Sequence, residues 1–299
     1  MTHHSTTLRG TFTALVTPMN QDGSVDQGAL DALVDWQLAE GVEGLVPCGT
    51  TGESATLTGD ERAQVIGRVV QRVNKRVPVI GGGGSNSTQV AIEHQKRLLD
   101  TGADYALVVT PYYNKPMPAG LIAHYRALWE AAPIPIVAYN VPGRTGCDMQ
   151  PSTIGELAKI DGVVAIKEAT GDLDRIAAIQ KEVGEDFAIL SGDDPTAAAF
   201  AFLGGGGVIS VTSNVAPADM GAMIRAALGG ENDRARELHN TLRPLFEALF
   251  IESNPIPVKA ALAMQNRLQE TYRLPLAAMQ SDTRATVHRV MQEGGWLKA

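Results

Sequence analysis

Cysteine is almost missing from this chain of 299 residues, and the two that occur, Cys48 and Cys147, stand far apart. That excludes a Cys-x-x-Cys zinc or redox motif and argues against a disulfide framework, so both read as small buried hydrophobes. Histidine is sparse and scattered over His3, His4, His94, His124, His239 and His288. No His-x-x-x-His pair and no Gly-x-Ser-x-Gly elbow occurs, which removes the support for a zinc protease or a serine hydrolase. Nowhere do about 18 apolar residues follow one another, and the polar start from Met1 to Gly10 lacks the apolar segment of a secretory signal. A cytoplasmic protein without membrane contact is expected. Basic residues are in the minority, 25 Lys and Arg against 33 Asp and Glu for a net charge of −8. With no dense basic run, such a surface repels a phosphate backbone, so nucleic acid is not an expected partner.

What the chain does have is an ordinary globular composition, 44% hydrophobic and 19% charged, which sets disorder aside. Apolar runs rich in Val, Ile, Leu and Ala recur, each closed by turn residues and followed by a stretch of helical periodicity. Strands are predicted over Phe12 to Thr17, Gly44 to Gly49, Pro78 to Gly82, Tyr105 to Thr110, Pro135 to Asn140, Val163 to Ala169, Phe187 to Gly192 and Val208 to Thr212. Between them fall amphipathic segments such as Asp26 to Glu40, Gly59 to Asn74, Thr88 to Asp100 and Ala119 to Ala131. Repeated βα units of this kind predict a (β/α)8 TIM barrel, whose closure removes the sheet edges. The doubly wound sheet is the second choice, because the runs Gly81 to Gly84 and Gly204 to Gly207 do not fit Gly-x-Gly-x-x-Gly and instead suit tight turns and close packing. From about Gly230 the chain reads as helices over Asn232 to Ser253, Pro257 to Gln269 and Asp282 to Glu293, divided at Asn254-Pro255-Ile256-Pro257 and Leu274-Pro275. The expected organisation is a barrel over 1–229 with a C-terminal helical extension, 230–299, packed on it.

In such a barrel catalytic side chains project from the C-terminal ends of the strands. Strand six reads Val163-Val164-Ala165-Ile166-Lys167-Glu168-Ala169, and alternation puts Val163, Ala165 and Lys167 on one face. A lysine facing the interior loses hydration, which disfavours its ammonium form and frees an amine to attack a carbonyl. Tyr139 ends the neighbouring strand five, and at about 4.8 Å between strands its phenol can reach the lysine nitrogen as a proton carrier. After strand two, Gly49-Thr50-Thr51-Gly52-Glu53 offers backbone N–H groups and two hydroxyls, which suits a carboxylate, although a helix-capping loop reads the same way. Arg144 follows strand five, where its guanidinium can take a second carboxylate bidentately or form only a surface ion pair.

These stretches resemble a known family. Gly49-Thr50-Thr51-Gly52-Glu53-Ser54, Tyr139-Asn140-Val141-Pro142-Gly143-Arg144-Thr145-Gly146 and Ile166-Lys167-Glu168-Ala169-Thr170-Gly171 are similar to the signatures of the dihydrodipicolinate synthase / N-acetylneuraminate lyase family of class I aldolases. The resemblance extends from about Gly10 to the C-terminal helices and takes in Thr110-Pro111-Tyr112-Tyr113-Asn114, Leu190-Ser191-Gly192-Asp193-Asp194 and Asn254-Pro255-Ile256-Pro257-Val258-Lys259. Paired threonines and Arg144 point to the synthase branch rather than the sialic-acid branch. The resemblance implies a lyase without metal or external cofactor, in which Lys167 forms a covalent imine with pyruvate and the derived enamine attacks L-aspartate 4-semialdehyde. Thr50 and Thr51 would hold the pyruvate carboxylate, with the backbones of Gly192 and Ile209 lining that side. Tyr139 would shuttle protons, linked through Thr50 to Tyr113 from a neighbouring subunit, and Arg144 would hold the semialdehyde. It further implies a place in diaminopimelate and lysine synthesis and a homotetramer built as a dimer of dimers.

Ser54, Ala55, Asn86 and Tyr112 match positions that line the end-product lysine site in lysine-sensitive members. Gly59, Arg62 and Val90 stand where enterobacterial enzymes carry two histidines and a glutamate, so weak or absent inhibition by lysine is expected. Three other functions compete. A retro-aldolase of a 2-keto-3-deoxy sugar acid or N-acetylneuraminate would use the same Lys167 and Tyr139, and a metal-dependent lyase would gather Glu53, Glu168, Asp193 and Asp194 around magnesium. A barrel kept only for binding or assembly would form no pyruvate adduct.

Overall fold

Eight parallel strands, each followed by a helix, make up most of the structure, a computed structural model that describes residues 8–297. His3, His4 and most of the polar start lie outside the described residues. The strands are β1 (Gly10–Thr13), β2 (Gly44–Leu45), β3 (Ile80–Gly82), β4 (Tyr105–Val109), β5 (Ile136–Asn140), β6 (Val163–Glu168), β7 (Ala188–Ser191) and β8 (Gly207–Ser210). They pair in the order β2-β1-β8-β7-β6-β5-β4-β3, and a parallel bridge from Leu45 to Val79 joins the two ends. The sheet therefore closes into the (β/α)8 barrel, and the doubly wound alternative falls because it leaves two open edges.

All eight strands are shorter than the apolar runs predict. Beyond Thr13 the chain still donates from Ala14 to Ser210 O at 2.8 Å and from Leu15 to Val46 O at 3.1 Å, but it leaves the regular ladder. Ala14, Leu15, Val16 and Val46 are buried in loops, so the apolar run records burial rather than pleated pairing. A register shift between Ile136 and Val137 also corrects the predicted face of β6. Val163 packs outward in the helix-facing core while Val164 and Ala165 both join the interior cluster, because a bulge places two residues of one strand opposite one of its neighbour. Alternation resumes above the bulge.

The barrel helices are α1 (Gln27–Ala39), α2 (Gly59–Val73), α3 (Thr88–Thr101), α4 (Pro118–Ala131), α5 (Pro151–Leu157), α6 (Asp174–Glu182), α7 (Ala197–Phe202) and α8 (Pro217–Leu228). Their starts follow local chemistry. Asp26 accepts from Ala29 N at 2.9 Å ahead of α1, and Thr58 and Glu61 satisfy each other's backbone N–H at the start of α2. Proline opens α4 and α8, where its missing N–H leaves no bond unmade. Glycine is required where backbones meet: a Cβ on Gly82 would lie 1.8 Å from Cys48 O, and one on Gly207 2.0 Å from Gly10 O.

Two apolar layers result. Phe12, Leu107, Val137, Ala165, Leu190 and Ile209 fill the barrel interior, while a larger cluster lies between sheet and helices. The C-terminal helices α9 (Asn232–Leu249), α10 (Ile256–Met264) and α11 (Ser281–Glu293) contribute Leu242, Leu245, Phe246, Val258 and Met291 to that same outer layer. Among the described residues no helix is long and apolar enough to cross a membrane.

Candidate active site

Strands β5 and β6 run in register with Tyr139 opposite Lys167. Both side chains are buried, and the Lys167 Nζ lies 4.4 Å from the centroid of the Tyr139 ring. Among the described residues no carboxylate forms an ion pair with Lys167. The next residue, Glu168, points to the opposite face, where Arg175 Nε at 3.2 Å and Asn140 Nδ2 at 3.1 Å satisfy it. Alternation thus separates an amine from the acid beside it in sequence. Gly192 fits under the lysine stem: a Cβ there would come 2.7 Å from Lys167 Cε and 2.6 Å from Ala169 Cβ. Ile209 is fully buried in the interior cluster nearby on β8.

Beyond β2 the chain turns through Gly49 to Glu53. Thr50 is half-buried and lines, with Cys48, Gly49, Leu107 and Tyr139, a small cavity of about 40 Å³. Thr51 is buried, and its Oγ1 accepts from Asn254 Nδ2 at 2.9 Å. Glu53 ends the turn in the left-handed region at φ 55° and is held by Lys259 Nζ, 2.5 Å from its Oε1. Lys259 also donates to Thr271 O at 2.5 Å, and neither side chain of the pair has any exposure. Burial lowers the Lys259 pKa, with Glu53 opposing that shift. Arg273 binds Glu61 at 2.5 Å and Thr56 O at 2.8 Å, and its hydrogen bonds hold the Glu61 carboxyl down to about 2. The C-terminal segment therefore grips the β2 to α2 loop at several points. Nothing in the type or spacing of Asn254, Lys259 and Arg273 marks them in the sequence, although Asn254 and Lys259 fall in one of the stretches that carry the family resemblance.

The magnesium grouping does not form. Glu53 is taken by Lys259, Glu168 by Arg175 and Asn140, and Asp194 Oδ2 by Thr212 N and Oγ1, each at 2.7 Å. Asp193 Oδ2 accepts from Thr196 Oγ1 at 2.7 Å. Among the described residues no three His, Cys, Asp or Glu converge on a common point. Both cysteines are buried as expected, and burial pushes the Cys48 thiol up to about 12.

Arg144 is exposed at the mouth, its guanidinium donating to Asn254 O at 3.2 Å. The Tyr113 side chain is 89% exposed and makes no hydrogen bond to Thr50 or Tyr139 within its own chain. Ser54 is held by Arg62, whose Nε and second terminal nitrogen donate to Ser54 O at 3.0 and 2.5 Å. Asn86 O accepts from Asn114 Nδ2 at 2.9 Å, while Ala55 and Tyr112 are exposed.

A parallel barrel that buries a lysine without a carboxylate partner, with a tyrosine on the adjacent strand, has the build of a Schiff-base-forming lyase. The chain belongs to the dihydrodipicolinate synthetase family, whose model matches residues 7–294. It is 49% identical over 290 residues to the 4-hydroxy-tetrahydrodipicolinate synthase of Methylococcus capsulatus, covering 97% of this chain and 100% of that one. The synthase of the same name from Maridesulfovibrio salexigens is 46% identical, over 97% of this chain and 99% of the relative. The crystal structure of the chloride-inhibited dihydrodipicolinate synthase from Acinetobacter baumannii, complexed with pyruvate, superposes with a TM-score of 0.95 at 44% identity, covering 97% of this chain and 100% of that one.

Proposed function

We propose that this chain condenses pyruvate with L-aspartate 4-semialdehyde to give 4-hydroxy-tetrahydrodipicolinate, as a cytoplasmic enzyme of diaminopimelate and lysine synthesis. The observation that carries it is the pairing of Lys167 with Tyr139 on adjacent strands, the amine 4.4 Å from the ring centroid. Lys167 Nζ attacks the ketone carbon of pyruvate, water leaves, and an imine forms. That iminium draws a proton off the methyl group and leaves an enamine, whose carbon forms the new bond to the aldehyde carbon. The semialdehyde's own amine then attacks the imine carbon, expels the lysine and closes the ring. Tyr139 carries protons between these steps. Thr50 and Thr51 hold the pyruvate carboxylate beside the backbones of Gly192 and Ile209, and Arg144 takes the semialdehyde carboxylate. No metal or external cofactor enters this scheme, because the lysine imine itself is the electron sink.

A homotetramer of two tight dimers suits two exposed surfaces: the Tyr112 and Tyr113 rings, and an apolar groove lined by Leu173, Ala198, Phe202 and Leu228. In that assembly Tyr113 of one copy reaches Thr50 of the next. The division into a barrel over 1–229 and a helical extension over 230–299 has the support of the turn at Gly230, after which α9 begins.

Borohydride reduction with pyruvate, followed by peptide mass analysis and a product assay, tests the reading. Expected are an adduct on Lys167, none in Lys167→Ala, and product from pyruvate plus the semialdehyde. An adduct on another lysine, or cleavage of N-acetylneuraminate or a 2-keto-3-deoxy sugar acid without synthesis, would overturn it.

A further inference from the structure

We propose that Asn254 is a positioning residue that sets Thr51 and Arg144 for their carboxylate partners, an inference that rests on the proposed function. Asn254 lies at the head of α10, buried, and touches both residues with different atoms. Its side-chain Nδ2 donates to Thr51 Oγ1 at 2.9 Å, and its main-chain oxygen accepts from the Arg144 guanidinium at 3.2 Å.

The direction of the first bond matters. A threonine hydroxyl has one proton and two lone pairs, and an amide N–H can enter only a lone pair. Thr51 is left with its own proton to give. A carboxylate accepts and never donates, so the proton that Asn254 leaves free is the one that the pyruvate carboxylate needs. Without the amide the hydroxyl is free to turn its proton toward a neighbouring carbonyl and to present a lone pair to an anion. On the second bond, Arg144 lies on an exposed single helical turn, Pro142–Thr145, and its guanidinium has the Asn254 oxygen as its one hydrogen-bond partner among the described residues. One residue thereby links the two sites that receive negative charge.

Two further observations support a positioning role over simple packing. Lys259, in the same segment, grips Glu53, so the turn carrying Thr51 is fixed on both sides by one stretch of chain. The Asn254 Oδ1 is buried without a hydrogen-bond partner, which disfavours the folded state. The amide is therefore oriented by its Nδ2 bond to Thr51 alone.

Steady-state kinetics of Asn254→Ala, of the isosteric Asn254→Asp and of Thr51→Val with and without Asn254→Ala test this, with Tm measured alongside. In Asn254→Ala the KM for pyruvate should rise about tenfold, more than kcat falls, which corresponds to the loss of one hydrogen bond. Asn254→Asp should raise it at least as much, because a carboxylate accepts the proton of Thr51 and adds a charge that repels the substrate. Added to Thr51→Val, Asn254→Ala should bring no further rise. Should the alanine variant fail to fold, the aspartate variant carries the comparison. A wild-type protein that traps no pyruvate defeats the proposed function. A wild-type protein that traps it, with the pyruvate KM of the Asn254 variants within about twofold of normal or with independent effects in the double variant, defeats this inference alone.

Discussion

Lys167 and Lys259 are both buried, yet one amine faces a phenol ring and the other a carboxylate 2.5 Å away. Lys167 is on β6 near the mouth of the barrel, with a glycine beneath its stem and its acidic neighbour turned to the other face. Lys259 is on α10, its charge met by Glu53 and its remaining donors partly used by the Thr271 carbonyl. Burial by itself therefore does not mark a reactive lysine. A carboxylate partner occupies the Lys259 amine and makes that residue a structural strut, whereas the Lys167 amine is held by no acid and is left to meet a substrate carbonyl. Lys167 is buried in an apolar strand and Lys259 in a helix, so the two environments differ although the burial is alike.

Exchanging the two phenotypes would break this comparison, and it carries the largest expected effects. Lys259→Ala leaves the Glu53 carboxylate buried and unpaired and should cost about 3 to 5 kcal/mol in urea denaturation. Changing both partners together, Lys259→Met with Glu53→Gln, should recover most of that loss, because the pair's attraction is offset by its desolvation. Lys167→Ala should cost under about 2 kcal/mol of stability, since no partner is orphaned. If Lys167→Ala were instead the variant that unfolds, the division between strut and nucleophile would collapse.

Removing only the phenol hydroxyl sharpens the same contrast. Tyr139→Phe keeps the ring under the Lys167 amine but deletes the proton carrier, so kcat should fall about 100-fold with Tm unchanged. Turnover near normal would reduce Tyr139 to packing. Gly192→Ala works from the other side, as its new methyl would crowd Lys167 Cε at 2.7 Å. Overpacking of this kind costs about 1 to 3 kcal/mol, and here it should appear as slower pyruvate trapping, by about tenfold, rather than as lost stability. A trapping rate equal to wild type would mean that the stem has room to shift.

How much of this could be read from the sequence depended on how far apart the partners lie. The strands were legible because both faces of a parallel sheet are buried, so each appears as an apolar run between turn residues. Lys167 stood out for the same reason, as a charge inside such a run. The bulge on β6 was not legible, since Val163 and Val164 are both valine and nothing in their type says which one faces inward. Lys259 was hidden because its counter-ion is 206 positions away, and Asn254 because it meets Thr51 across 203. Such pairings exist only where the C-terminal segment packs against the loop between β2 and α2. Tyr113 illustrates a further boundary, since its exposed ring finds no hydrogen-bond partner among the described residues of its own chain.

A third cation, Arg62, extends the comparison to the smallest expected effect, inhibition by free lysine. Like Lys259, Arg62 is satisfied within the protein: it donates twice to Ser54 O and lies 3.1 Å from His94 Nδ1. Burial, and then the charge of Arg62, hold the His94 pKa down to about 4, so at neutral pH the ring is uncharged and free to accept from the guanidinium. Nearby Val90 is 39% exposed and offers a ligand ammonium no countercharge. A desolvated charge that lacks its partner costs about 2 to 5 kcal/mol, which at about 1.4 kcal/mol per tenfold weakens binding by at least about 25-fold. Half-inhibition by lysine should therefore lie above about 1 mM, equivalent to about 4 kcal/mol of binding energy. An initial-rate titration at subsaturating pyruvate measures it. Half-inhibition below that concentration would refute this and show that another group supplies the missing charge.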